Sequence, residues 1–207
     1  MVWTMKVLDP SAGIIPQEIA EGSTMADEVR INNSTIRLVL ADITDLEIES
    51  FVYYARHDLV LGSGFGTAIS IRGGRSIQEE LDKLSPIKTT EVVVSSAGEM
   101  KARRIIHAVG PRFQEEDSET KLRTTVLNCL KRAEAEGIKA IAFPPMGSGF
   151  YGVPLDLSAR VMLDVIGEYL SGQTGIKDVV VCLRDGLEYG AFQRFMSVSS
   201  KTLGVTR

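Results

Sequence analysis

The sequence predicts an α/β protein: a three-layer α/β/α domain whose mixed, mostly parallel central sheet lies between helices. Three features point to it. Short β-branched runs that are apolar on both faces recur along the chain, as strands covered on both sides must be. Helical periods separate them, and such alternation gives a sheet with helix layers on its faces. Glycine-dense stretches come after two of the runs.

Residues 1–28 mix turn formers with acidic residues and show no period, so they read as an N-terminal extension; 29–198 form the domain and 199–207 a C-terminal tail. "VRINN" followed by "TIRLVL" reads as a hairpin turning around Asn33 and Ser34. The runs at 35–43, 91–96, 103–109, 139–144 and 178–183 are short and β-branched, and "ESFVYYA" supplies a further strand. Over 119–136, Leu122, Val126, Cys129, Leu130 and Ala133 share one helical face, with Gly137 placed to stop the helix. Over 156–171, Met162, Val165, Ile166, Tyr169 and Leu170 do the same, with Asp156 as the expected N-cap and Gly172 beyond the end.

A chain of 207 residues buries enough surface for one large domain without disulfide or metal. Cys129 and Cys182 lie in apolar segments with no CxxC or Cys/His cluster, so both read as reduced core thiols of a cytoplasmic protein, and no metal ligand set is expected. No apolar stretch reaches a bilayer span of about 20 residues, and "MVWTMKV" lacks the apolar run of a signal peptide. A net charge of -4 argues against general nucleic-acid binding, which depends on clustered Lys and Arg. Oligomeric state is not encoded in any of these features.

The chemistry is concentrated in the two glycine stretches. "LGSGFGTAISIRGG" (61–74) places Gly62, Gly64 and Gly66 just before a helical segment whose free N–H groups would point back at the loop, the arrangement that binds phosphate. A plain turn needing positive φ is the alternative. The dinucleotide fingerprint G-x-G-x-x-G fails, because Thr67 or Ile69 stands at its last position, and no Gly-Lys-Ser/Thr marks a Walker loop. "MGSGFYG" (146–152) repeats the pattern after another strand. Two such loops at the carboxyl ends of strands would pinch a diphosphate, since ligands of open α/β sheets bind at that edge.

"ADIT" (41–44), "GSGFGTAI" (62–69), "RRIIHAVGP" (103–111) and "IAFPPMGSGFYGVP" (141–154), in this order and spacing, resemble the macro domains, a family that binds ADP-ribose. The resemblance covers about residues 35–195 and implies ADP-ribose, free or attached to protein, as ligand, with no cofactor. It implies that Asp42 accepts from the adenine amine, with the Ile43 backbone beside it. Gly62, Ser63, Gly64, Phe65 and Gly66, together with Gly147, Ser148 and Gly149, would hold the diphosphate. Tyr151 would pack near the distal ribose, with Phe150 partly core. Arg184 stands where many relatives carry an aromatic that stacks on adenine, a role a guanidinium plane can also fill.

Several departures bear on activity. Hydrolytic relatives carry an NAAN-like motif whose last Asn orients the distal ribose and the attacking water; the matching residues here are Tyr53, Tyr54, Ala55 and Arg56. A guanidinium donates and cannot accept. Gly66, Thr67 and Ser70 also differ from the frequent family residues at their positions. The resemblance therefore implies binding, with hydrolysis of an ADP-ribose derivative as the alternative. Arg56 and His57 are the candidates for any catalysis. His57 and Asp58 adjoin the altered strand end, but neighbours on an extended chain point to opposite faces, which argues against an acid/base pair. His107 alternates with Ile and Val and reads as a hydrogen-bonded core residue.

Overall fold

The computed structural model describes residues 26–62 and 64–202. Its order is β1 (Ala26–Ile31), β2 (Ser34–Leu40), a 3-10 turn (Ile43–Asp45), β3 (Ser50–Tyr54), α1 (Phe65–Gly73), α2 (Ser76–Leu81), β4 (Val92–Ser96), β5 (Arg104–Ala108), α3 (Ser118–Ala135), β6 (Ala140–Phe143), α4 (Leu155–Ser171), β7 (Asp178–Leu183) and α5 (Gly186–Thr202). The extension boundary at residue 28 thus falls inside β1, and α5 runs past residue 198.

The strands form one seven-stranded sheet in the order β1-β2-β7-β6-β3-β5-β4. β2, β7, β6, β3 and β5 run parallel, while β1 and β4 pair antiparallel at the two edges. Alternation along each strand divides the core in two. Leu38, Val52, Ile106, Phe143 and Val181 face α3, α4 and α5, with Leu130, Met162, Ile166 and Phe192 packed on them. Phe51, Tyr53, Ile105 and Val180 face the other way, against Ile69 of α1 and Ile77 and Leu81 of α2. Full burial of an aliphatic or Phe side chain contributes about 1.5–3 kcal/mol, so the two-sided runs are what hold both helix layers. Among the described residues no helix is long and apolar enough to cross a membrane.

Three local expectations are corrected. The hairpin turns at Asn32–Asn33, one residue early, because Ile31 pairs with Ser34 and Asn32 takes φ +53, a conformation Asn tolerates. β2 ends at Leu40, since Asp42 has already left the ladder to cap the 3-10 turn. Pro154, not Asp156, occupies the N-cap of α4: its carbonyl accepts from the Ser158 N–H, and Asp156 in the first turn pairs instead with Arg194. Gly137 does end α3, in a Schellman arrangement: Ile138 N–H donates to Ala133 O (2.9 Å) and Gly137 N–H to Glu134 O (3.0 Å).

His107 is fully buried on β5. The Ser95 hydroxyl donates to Ser96 O (2.8 Å), so it accepts from His107 Nε2–H (2.8 Å), which leaves Nδ1 bare and without a partner among the described residues. Burial pushes the imidazole pKa down to about 3. The unfolded chain takes up this proton near pH 6.5 and the folded one only near 3, so stability falls as pH drops through that window, by about 1.4 kcal/mol per pH unit for one proton. Thermal melts of His107→Gln between pH 7 and 4 should show a shallower loss than the wild type; parallel slopes would show that folded His107 takes up its proton as readily as the unfolded chain does.

Candidate ligand site at the strand ends

The carboxyl ends of β2, β7, β6 and β3 lie side by side, and each delivers part of the motif set. Leu40 pairs with Leu183, which sets Ala41 and Asp42 beside Arg184; Ala41 N–H donates to Leu183 O (3.0 Å) and Cys182 S–H to Ala41 O (3.2 Å). β6 and β3 pair only through Ser50↔Ile141 and Phe51↔Ala142. β3 continues to Tyr54 on the β5 side alone, so the two chains part before either glycine loop begins. With strands about 4.8 Å apart, the four ends cover about 15 Å in the order Asp42, Arg184, second glycine loop, first glycine loop.

The first loop turns into α1 at Gly64, whose φ of +54 and ψ of -122 exclude most other residues. Thr67 and Ala68 N–H both return to Gly64 O, whereas those of Phe65 and Gly66 have no acceptor among the described residues. Tyr53 reaches this turn from below: a Cβ on Gly66 would stand 2.6 Å from its hydroxyl. Its ring meets Phe65 edge-on at 5.2 Å, and burial first of all pushes its pKa up to about 12, keeping the phenol neutral. Gly62 is exposed. Ser63 lies outside the described residues.

The second loop is fixed at its base and open at its tip. Val153 N–H donates to Gly147 O, Gly152 N–H to Gly149 O (both 3.0 Å) and the Ser148 hydroxyl to Pro145 O (3.1 Å). The N–H groups of Gly149, Phe150 and Tyr151 have no acceptor among the described residues. Gly147 takes φ +74, and a Cβ there would meet Val153 at 2.8 Å and the Tyr54 hydroxyl at 3.2 Å; at Gly149 it would meet open space. Tyr54 is the floor: its hydroxyl donates to Pro111 O (2.5 Å), and its ring lies 4.8 Å from that of Tyr151. Phe150 is not partly core. It is 91% exposed, because Tyr151 takes the position over Tyr54 and turns Phe150 outward, edge-on to its own ring at 5.5 Å.

At the β3 end Arg56 is exposed and forks onto Asp58, Nε to Oδ1 at 3.0 Å and Nη2 to Oδ2 at 2.6 Å. That pairing holds the Asp58 carboxyl below its usual range. Asp58 is thereby committed to Arg56 and forms no pair with the exposed His57. At the β2 end Asp42 caps the 3-10 turn as a lone Asp after a strand would. Its Oδ1 accepts from Thr44 N (3.0 Å) and Thr44 Oγ1 (2.7 Å), and Oδ2 faces Arg72 Nη2 at 3.1 Å. Burial opposes the charge, but Thr44 and Arg72 together hold the carboxyl below the ordinary value. Ile43 is buried, with its N–H unmatched among the described residues. Arg184 is exposed but tethered: Glu188, itself buried, accepts from its N–H (2.8 Å), Nε (3.1 Å) and Nη2 (2.8 Å).

Arg72 and Glu188 are site residues that motif spacing does not disclose, and the motif that aligns Tyr54 gives no hint that its ring underlies the second loop. Glu188 alone left a signal, standing three residues after Asp185, whose carboxylate accepts from the Leu187 and Glu188 N–H groups at the start of α5.

The model of the macro domain family matches residues 54–162. An uncharacterised protein of Saccharolobus solfataricus is 36% identical over 162 residues, covering 76% of this chain and 90% of its own. A Pantoea vagans protein named O-acetyl-ADP-ribose deacetylase 2 is 30% identical over 168 residues, covering 78% and 98%. A mutant Oceanobacillus iheyensis macrodomain solved with ADPR superposes with a TM-score of 0.82 at 25% identity, covering 86% of this chain and 100% of that one. With these matches joined to the layered sheet and its paired glycine loops, the chain belongs to the macro domain family.

Proposed function

We propose that this protein is an ADP-ribose-binding module of the cytoplasm, recognising the nucleotide free or on modified protein without turning it over. The observation that carries the reading is the order of groups across the strand ends: a carboxylate, a flat cation, then two loops with unmatched N–H groups. An extended molecule with a base at one end, a diphosphate in the middle and a second sugar beyond has that order of needs. Asp42 and the Ile43 N–H take the adenine edge, and Arg184 lies against its face. Gly62, Gly64 to Gly66 and Gly147 to Gly149, with Ser148, close on the diphosphate. Tyr151 borders the distal ribose. Replacing Asp42 by Ala should weaken ADP-ribose binding by about 1–3 kcal/mol, the range for losing a hydrogen bond to a charged group, and reduce discrimination against guanine. Calorimetry showing unchanged affinity and discrimination would leave Asp42 with its capping role only.

A second reading, hydrolysis of mono-ADP-ribosyl protein or of ADP-ribose 1″-phosphate, is favoured by the likeness to the Pantoea vagans deacetylase. Against it stands Arg56, which offers donors only and is engaged with Asp58 where a water would need an acceptor. Release of ADP-ribose from glutamate-modified protein by the wild type would decide for this second reading.

A further inference from the structure

We propose that Arg72 is a specificity-determining residue at the base end of the site, positioning the Asp42 carboxylate so that it selects a base bearing an exocyclic amine over one bearing a carbonyl. This rests on the ADP-ribose reading above. Arg72 lies in the last turn of α1, the helix whose first turn borders the first glycine loop. Its guanidinium is shared between two carboxylates of the 3-10 turn, Nη2 to Asp42 Oδ2 at 3.1 Å and Nη1 to Asp45 Oδ1 at 2.5 Å. A carboxylate offers about four acceptor positions. Thr44 fills two on Oδ1, and Arg72 stands against Oδ2 as an ion pair, which leaves Oδ2 as the oxygen with acceptor capacity for a ligand. An amine can donate to it; a carbonyl oxygen meets only negative charge. Without Arg72 the carboxylate would lose the cation beside Oδ2 and share its turn with Asp45 unscreened.

The backbone beneath Arg72 is pinned, so the guanidinium works from a rigid base. Gly73 O accepts from Glu99 N–H (3.1 Å), Gly74 N–H returns to Ser70 O (3.1 Å), and a Cβ on Gly98 would come within 1.8 Å of the Gly73 oxygen. All three side chains are partly exposed, and exposed ion pairs contribute little to stability. The effect of Arg72 should therefore appear in selectivity and not in the melting temperature. This separates a positioning role from a structural one.

The test is calorimetry of the wild type, Arg72→Gln and Arg72→Lys with ADP-ribose and with its hypoxanthine counterpart, which carries a carbonyl oxygen for the amine and, with it, a proton on N1. The wild type should prefer ADP-ribose by about tenfold or more, the ratio that one hydrogen bond to a charged group supports. Arg72→Gln should cut the preference to about threefold or less at an unchanged Tm, and Arg72→Lys should restore most of it. Should the Gln variant fail to fold, Arg72→Ala provides the same comparison. A neutral variant that binds ADP-ribose with the wild-type preference overturns the role of Arg72 and leaves the binding module standing. A wild type that binds neither nucleotide removes the binding reading and this inference with it.

Discussion

Gly149→Glu should fold as the wild type does and bind no ADP-ribose. The two halves of this expectation have separate grounds. Gly149 does not have a positive φ, and a Cβ there meets nothing within 4 Å, so the backbone accepts a side chain without strain. The space a Glu side chain would enter is the one that the free N–H groups of residues 149–151 face in the proposed complex, and its carboxylate would both fill it and repel phosphate. A loss of at least about a hundredfold, at a melting temperature within about 2 °C of the wild type, is the expected result. A folded variant of unchanged affinity would show that the second loop does not touch the ligand.

Tyr54→Ala should produce the largest loss of stability among the site residues. Its ring is buried between Gly110, Gly147 and Tyr151, and its hydroxyl is the donor to Pro111 O. Truncating a buried aromatic to Ala costs about 3–5 kcal/mol, which for a domain of this size lowers Tm by about 6–20 °C. Tyr54→Phe keeps the ring and removes one hydrogen bond, so it should cost about 1 kcal/mol. Differential scanning calorimetry of the pair separates the two contributions. If Tyr54→Ala melts with the wild type, the ring is not the floor of the second loop.

The layers were legible because the parallel strands are two-sided apolar runs, and because the faces of α3 and α4 repeat over many turns. α2 was not, since Ile77 and Leu81 are its only buried residues and six residues show no period. α5 carries Tyr189, Phe192 and Met196 at helical spacing, but Gly186 and Gly190 interrupt the pattern. The glycine loops could be found from composition, yet which of two adjacent aromatics is buried depends on Tyr54, nearly a hundred positions away in sequence. The Arg56–Asp58 fork was not legible, because residues 56–59 form a turn closed by Leu59 N–H on Arg56 O (3.0 Å) and not the extended segment that their place after a strand suggests. The contact of Arg72 with Asp42 joins a helix end to a strand end and has no local signature.

In the proposed complex the strand-end groups act together on one ligand through its diphosphate. Calorimetric titration of the wild type with ADP-ribose and with AMP tests it most directly, since AMP keeps the adenine and lacks the diphosphate and distal ribose. The predicted result is saturable one-to-one binding of ADP-ribose, at least about tenfold tighter than AMP. Equal affinity for both, or no saturable heat with ADP-ribose, would contradict it.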